Sequence, residues 1–324
     1  MPKRPVVGVE GNELLEHPAW LAWRRLNAGS PTVTRIEILQ GRNKSATFRL
    51  YSAFPNGGTV IAKRGYPETL RREYEIYAEV LPHVPLPALR CFGWFCLQDE
   101  EYAWLFLEDA GDDEFDPSIE RHRVLAARWI GKLHVNALQL STSMHLPPAG
   151  ASRYLGHLRH ARQLLVDCRA NPALSAEDMA VLDSVVSHCD ELEALWGRIE
   201  KQCGDLPQTL VHGDFVPKNL RVRKGLGGSS LVLFDWEMVG WGPPAADLAS
   251  VDLEVYWPVV SETWPGLDKS TLYQMAELGK LFRNLAAIDW AAARLARAGP
   301  WVDNAIARLR VYSSTGKTLC RRYR

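Results

Sequence analysis

At residues 108–118 the chain reads EDAGDDEFDPS, and the hydrophobic pattern on its two sides is different. On the N-terminal side, from Thr32 to Leu107, apolar residues come in short β-branched and aromatic runs. TVTRIEILQ and ATFRLYSA flank the polar GRNKS, PNGG precedes TVIAKR, and ALRCFGWFCL and YAWLFLE follow. Runs of this length, punctuated by Gly, Pro and Asn, read as strands and hairpins. One helix is predicted among them, over about 67–81, with proline in its first turn and PHVPLP ending it. On the C-terminal side, apolar residues recur at helical spacing over about 118–141, 152–170, 174–203, 244–256 and from 269 onward, interrupted by LVHGDFVPKNLRV and SLVLFDWEMVG. With 324 residues, this order predicts an α+β protein of two lobes. Residues 1–108 form a leader, with a possible helix in ELLEHPAWLAWRRLNAG, and a small β-rich lobe. Residues 109–324 form a larger helical lobe holding a small β insertion.

Composition removes several function classes. Lys plus Arg number 38 and Asp plus Glu number 38, so no global basic field marks a nucleic-acid partner. No apolar run approaches the roughly 18 residues of a membrane span. The basic N-terminus is followed by an apolar run that stops at Glu10, too early for a signal peptide. Six cysteines are sparse, and CFGWFC lacks the spacing of a zinc knuckle, so reduced thiols are expected. A cytoplasmic enzyme or binding protein fits these features.

The chemistry concentrates in LVHGDFVPKNLRV, residues 210–222, where polar groups sit among residues that look like sheet core. His212, Gly213, Asp214 and Asn219 form H-G-D-x(4)-N. In phosphoryl transfer a loop aspartate accepts the acceptor hydroxyl's proton, and an asparagine five positions on binds magnesium. Sixteen residues after Asn219, Asp235 ends the apolar run LVLF, placed to ligate a phosphate-bridging Mg2+. Asp and Asn also shape turns, and any one of these alone would be read that way. Three at these intervals, each beside an apolar strand, favour chemistry. His212 is read as a packed loop histidine, and Asp247, in GWGPPAADLAS, as an acid bracing the loop. Lys218 is either a γ-phosphate contact or solvated.

The β-rich half supplies an independent check. Lys63 ends the strand TVIAKR and reaches toward the α- and β-phosphates of a nucleotide. Along TLRREYEIYAEVL, Leu70, Tyr74, Tyr77, Val80 and Leu81 share one face at 100° per residue, and Glu73 falls on it. An inward glutamate needs a partner, and Lys63 is the natural one. Gly41, with Asn43 and Ser45, offers backbone N–H groups for phosphate oxygens, and backbone groups around Glu108 and Ala110 are placed to bond an adenine.

Together VHGDFVPKN, LFDWEMVGWGPPAADLA, VIAK, the helix glutamate, FLEDAG and IGKLHVNAL resemble the aminoglycoside phosphotransferase and choline kinase-like family, over about residues 32–250. That resemblance implies a protein-kinase-like fold, with a small antiparallel N-lobe carrying one helix and a mostly helical C-lobe. It implies Asp214 as catalytic base, Asn219 and Asp235 as ligands of Mg2+, and Lys63 with Glu73 positioning the phosphates of ATP or GTP. The partners are then the nucleotide and a small-molecule hydroxyl acceptor. Between Gly225 and Asp268 there is no Lys or Arg but there are seven acids, interleaved with aromatics. This favours an amine-bearing acceptor such as an aminoglycoside or amino alcohol. The competing readings are a neutral sugar or other metabolite as acceptor, a nucleotide-binding pseudokinase, and a metal-dependent phosphohydrolase, the last leaving Lys63 and Glu73 unexplained.

Overall fold

Short runs with β-branched and aromatic side chains pair into one antiparallel sheet in the N-terminal part of the chain. The structure, a computed structural model, describes residues 8–29, 31–41, 45–54, 56–96, 101–139, 146–225, 228–297 and 302–323. Its first elements are β1 (Gly8–Val9), α1 (Pro18–Leu26), β2 (Arg35–Gly41), β3 (Ala46–Tyr51), β4 (Val60–Gly65), α2 (Pro67–Glu75), β5 (Cys91–Cys96) and β6 (Ala103–Glu108). The six strands follow the order β1-β2-β3-β4-β6-β5. The described residues of the N-terminal stretch read as a leader pair with this sheet or pack on it. Gly8 and Val9 pair with Glu37 and Ile36, and α1 buries Trp20 and Trp23 in the apolar cluster with Phe48, Leu50, Trp104 and Phe106. His17 caps α1 by accepting the Ala19 N–H on Nδ1 at 3.2 Å.

The helix expected over 67–81 starts where predicted, with Pro67 at its first turn. It is α-helical only to Glu75, then widens into a π turn over Ile76–Val80 and ends in a 3-10 turn at His83. Of the face read from periodicity, Leu70, Glu73, Tyr77, Val80 and Leu81 are buried and Tyr74 is half-buried, while Ile76, not assigned to that face, is buried as well where the helix widens.

Further along lie α3 (Glu120–Asn136), α4 (Ala151–Asp167), α5 (Ala176–Ala194), α6 (Trp196–Gly204), β7 (Thr209–Val211), β8 (Leu220–Gly225), β9 (Gly228–Leu233), β10 (Gly240–Gly242), α7 (Leu253–Val260), α8 (Lys269–Leu295) and α9 (Val302–Tyr323). The stretch expected as one helix over 174–203 is two, parted at Leu195. The start of the 244–256 segment is a 3-10 turn, Pro244–Leu248, before α7. Strand β8 pairs with β9 and β7 with β10, both antiparallel. No described helix is long and apolar enough to cross a membrane.

Contacts divide the chain into two units: Met1–Leu125 with Val216–Met238, and Ala126–Phe215 with Val239–Arg324. The first is the sheet unit, and it includes the β8–β9 hairpin. The second is mostly helical and is organised on α8, whose buried residues run from Leu272 to Leu295. In it Tyr154 of α4 stacks on Phe282 of α8 with ring centroids 3.9 Å apart. Gly279 lets α8 approach the 244–248 turn so closely that a Cβ would collide with the carbonyl oxygen of Ala245. Gly279→Ala is therefore expected to destabilise the protein by about 3 kcal/mol through overpacking, read as a lowered urea midpoint at unchanged m-value.

Candidate active site

In the sheet unit the chemistry begins with one cation. Lys63 lies in β4, opposite Thr47 of β3 and Leu105 of β6, and its side chain is only 13% exposed. Burying an ammonium group is unfavourable unless it is paired. Its Nζ donates to Glu73 Oε2 at 2.7 Å and to Asp235 Oδ1 at 2.6 Å, and lies 3.1 Å from Glu237 Oε1. Burial alone would lower the lysine's pKa, but Glu73, Asp235 and Glu237 more than offset it and hold it well above its usual value. Burial also dominates at Glu73 and pushes its carboxyl up to about 7 against the pull of Lys63. The pair inferred from the helix face is thus formed, and it has company the sequence reading missed. Glu237, two residues past Asp235 in the 3-10 turn Trp236–Met238, joins the cluster.

This cluster suits a hard divalent cation. Ligand oxygens of Glu73, Asp235 and Glu237 lie within 4.8 Å of one another. Glu73 Oε1 is buried with no hydrogen-bond partner among the described residues. An all-oxygen donor set of this kind fits Mg2+ rather than a softer metal.

The β8–β9 hairpin brings Asn219 and Asp235 to one end of the same ribbon. Leu220 pairs with Leu233, and the Phe234 N–H donates to the Asn219 carbonyl at 3.1 Å, so Asn219 precedes the ladder where Asp235 follows it. Asn219 is buried. Asp235 has φ of 71°, a left-handed conformation that a non-glycine residue adopts at some cost and that concentrates at functional sites. Lys218 is exposed.

The helical unit holds the other half of the motif. After β7 the chain turns through His212, Gly213 and Asp214, all buried, with Gly213 at φ 79°. Asp247 braces this turn: its Oδ2 accepts the His212 N–H at 2.7 Å and its Oδ1 accepts the Gly213 N–H at 2.8 Å. Behind it His134 Nε2 lies 3.3 Å from Asp247 Oδ2, and His134 Nδ1 lies 2.9 Å from the Tyr256 hydroxyl. His212 Nδ1 accepts the Asp214 N–H at 3.2 Å, which makes it a packed support of the loop. Asp214 itself is gripped by Arg283 of α8. The guanidinium donates to Oδ1 at 2.5 Å and to the Gly213 carbonyl at 3.3 Å. Nothing in the sequence pattern pointed to Arg283, and IGKLHVNAL carried His134 into the family resemblance without assigning it a role.

The remaining predicted residues are less converged. Gly41 is exposed at the end of β2, Ser45 is half-buried, and Asn43 lies outside the described residues. Glu108 ends β6, accepts the Arg90 N–H at 2.9 Å and pairs with Arg223 at 2.8 Å. Arg223 also donates to the carbonyls of Asp109, at 2.6 Å, and Ala110, at 3.4 Å. Most of the seven acids between Gly225 and Asp268 have structural tasks. Asp235 and Glu237 hold Lys63 and Asp247 braces the loop. Asp252 and Asp268 cap α7 and α8, and Glu254 binds Lys269 and Tyr273. Trp236, Tyr256 and Trp264 are core.

The family model of the phosphotransferase enzyme family matches residues 58–269. No curated protein sequence matches the chain significantly. Among solved structures, the chain is similar to the GDP complex of an aminoglycoside 2'-phosphotransferase IIIa mutant, at 13% identity and TM-score 0.63, covering 93% of this chain and 98% of that one. It is similar to choline kinase from Cryptosporidium parvum Iowa II, at 12% identity and TM-score 0.58, covering 89% and 90%. A spectinomycin phosphotransferase in complex with ADP and spectinomycin aligns at 9% identity and TM-score 0.57, covering 89% and 93%. At such identities the likeness is one of fold, the protein-kinase-like fold with its N-terminal antiparallel sheet and mostly helical C-terminal part.

The Glu73 carboxyl gives a pH-dependence. Folded, it keeps its proton up to about pH 7, whereas the ordinary value of a glutamate carboxyl is 4.5. Between these values the folded state binds the extra proton, so this group's contribution to stability falls as pH rises through that window. Urea unfolding at about pH 5, 6 and 7 is expected to show a shallower decline in Glu73→Gln than in the unaltered protein. Parallel slopes would place the titration elsewhere.

Proposed function

The chain belongs to the phosphotransferase enzyme family, and on that premise we propose that it transfers the terminal phosphoryl group of ATP or GTP to a hydroxyl of a small molecule. The observation that carries this reading is the buried Lys63 with Glu73, Asp235 and Glu237 around it. A lysine fixed by an inward glutamate and faced by metal-ligating carboxylates is a device for holding nucleotide phosphates. Asn219 and Asp235 are the proposed ligands of Mg2+, with Glu237 beside them. The ion, when bound, neutralises phosphate charge and polarises the transferred group.

Asp214 is the proposed base. Its carboxylate takes the proton of the acceptor hydroxyl as the acceptor oxygen bonds to the γ-phosphorus. The bond from that phosphorus to the β–γ bridging oxygen breaks, and the nucleoside diphosphate leaves with the electron pair. Lys63, oriented by Glu73, steadies the phosphates, and Asp247 with His212 fixes the loop so that Asp214 need not reorganise during the step. Gly41, Ser45 and the backbone around Glu108 and Ala110 are assigned to the nucleotide. The described cysteines are free thiols, in keeping with a reducing cytoplasmic setting.

The acceptor is an alcohol. Solved neighbours are named for kanamycin, spectinomycin and choline, but the acid-rich stretch that favoured an amine-bearing acceptor here is mostly engaged in caps, ion pairs and the loop brace. A pseudokinase scaffold would have no need of the complete Lys63, Glu73, Asp214, Asn219 and Asp235 set. The test is a transfer screen with magnesium and ATP or GTP across aminoglycosides, amino alcohols, sugars, hydroxy acids and nucleosides, read by mass. Asp214→Asn is expected to lower turnover by about a hundredfold to ten-thousandfold, the range of a general base, with nucleotide affinity retained. Full transfer by that variant would remove Asp214 from the role.

A further inference from the structure

Arg283 is in a position that the phosphotransfer chemistry alone does not require. Its guanidinium uses one nitrogen, Nη1, for both contacts: Asp214 Oδ1 at 2.5 Å and the Gly213 carbonyl at 3.3 Å. The face of Trp290, one of its neighbours on α8, lies 5.6 Å from the guanidinium carbon. Nε and Nη2 have no hydrogen-bond partner among the described residues, and the side chain keeps 19% of its exposure against 6% for Asp214. A planar cation is therefore held at one corner beside the proposed base, with its bidentate edge unengaged by the described residues and its side chain only partly buried. That edge is the one that matches a carboxylate or phosphate.

The local charges point the same way. Around the buried Tyr154 hydroxyl, Arg153 and Arg283 stand with Asp247 and Asp214. Asp247 is engaged by two backbone N–H groups and His134, and Asp214 by Arg283. The acids there are committed within the protein, while the Nε and Nη2 edge of Arg283 has no partner among the described residues. The phosphate-steadying cation, Lys63, belongs to the sheet unit, so the helical unit's arginine is assigned to the other substrate.

Resting on the phosphotransferase reading, we propose that the acceptor is an alcohol bearing an oxyanion, carboxylate or phosphate, near its reacting hydroxyl, and that Arg283 selects it through Nε and Nη2. An arginine at this corner also disfavours an ammonium group there.

Matched acceptors test this: glycerate and glycerol 3-phosphate against glycerol and serinol, and gluconate against glucose and glucosamine. Each is assayed with magnesium and ATP or GTP, with nucleotide hydrolysis in the absence of acceptor measured alongside. The anionic members are expected to be phosphorylated with the highest kcat/KM. Arg283→Met should lower kcat/KM for them at least about tenfold more than for the neutral members. Arg283→Lys, which keeps the charge and spares the fold, should show the same loss of preference in smaller degree, chiefly in KM. Preference for neutral or amine members, no transfer to any anionic member, or a preference unchanged in both variants overturns the proposal. So does an equal loss for every acceptor and for hydrolysis, which would assign Arg283 to the transferred phosphoryl group. Transfer to any member of the panel, or hydrolysis that needs magnesium and Asp214, keeps the phosphotransferase reading standing in each of these cases, and the absence of both removes that reading too.

Discussion

A buried ammonium ion dictates the arrangement of the sheet unit. Lys63 is set inward by β4, and removing one partner from a buried pair of this kind costs about 3–5 kcal/mol, so the elements that carry its partners are constrained by it. Glu73 ties α2 to the sheet. Asp235 and Glu237 tie the end of the β8–β9 hairpin to the same point. A segment more than 150 positions from β4 in sequence is thereby part of the sheet unit. The cluster is also tense. Three carboxylates share one cation, Glu73 is pushed up to about 7, and one of its oxygens lacks a hydrogen-bond partner among the described residues. A divalent cation would relieve both the crowding of negative charge and the unsatisfied oxygen.

The helical unit solves a different problem, that of holding a loop backbone still. Asp247 accepts two successive N–H groups and is backed by His134 and Tyr256, a chain of hydrogen bonds with its carboxylate and imidazole fully buried. Such networks are strong when complete and expensive when broken. Gly279 belongs to the same task, because the close approach of α8 to the 244–248 turn is what carries Asp247 to the loop. The rigidity of Asp214 is then a property of helix packing as much as of the loop's own sequence.

Much of this was legible in the residues. Periodicity alone put Glu73 on the apolar face of its helix, and an inward acid on an otherwise apolar stripe implies a cation, which Lys63 supplies. The Asp-to-Asn interval and the run of apolar residues before Asp235 marked a small β insertion with polar groups beside its strands, and Asp247 read as a brace. Glu237 was less visible, since an acid in a turn beside another acid looks like any solvated charge. The tasks of the acids between Gly225 and Asp268 were hidden for the same reason. Charge counts do not distinguish a helix cap from a binding group, and Asp252 and Asp268 are caps.

By itself, then, the sequence determined the kind of chemistry and the elements that carry it, because strand and helix periods, turn residues and short motif spacings act over a few positions. Only the tertiary structure decided the company each group keeps. Arg283 meets Asp214 across 69 positions, and His134 meets Asp247 across 113. Such contacts arise from the packing of α8 and α3, and no local pattern encodes them, because a helix records which face is buried without recording what that face will touch.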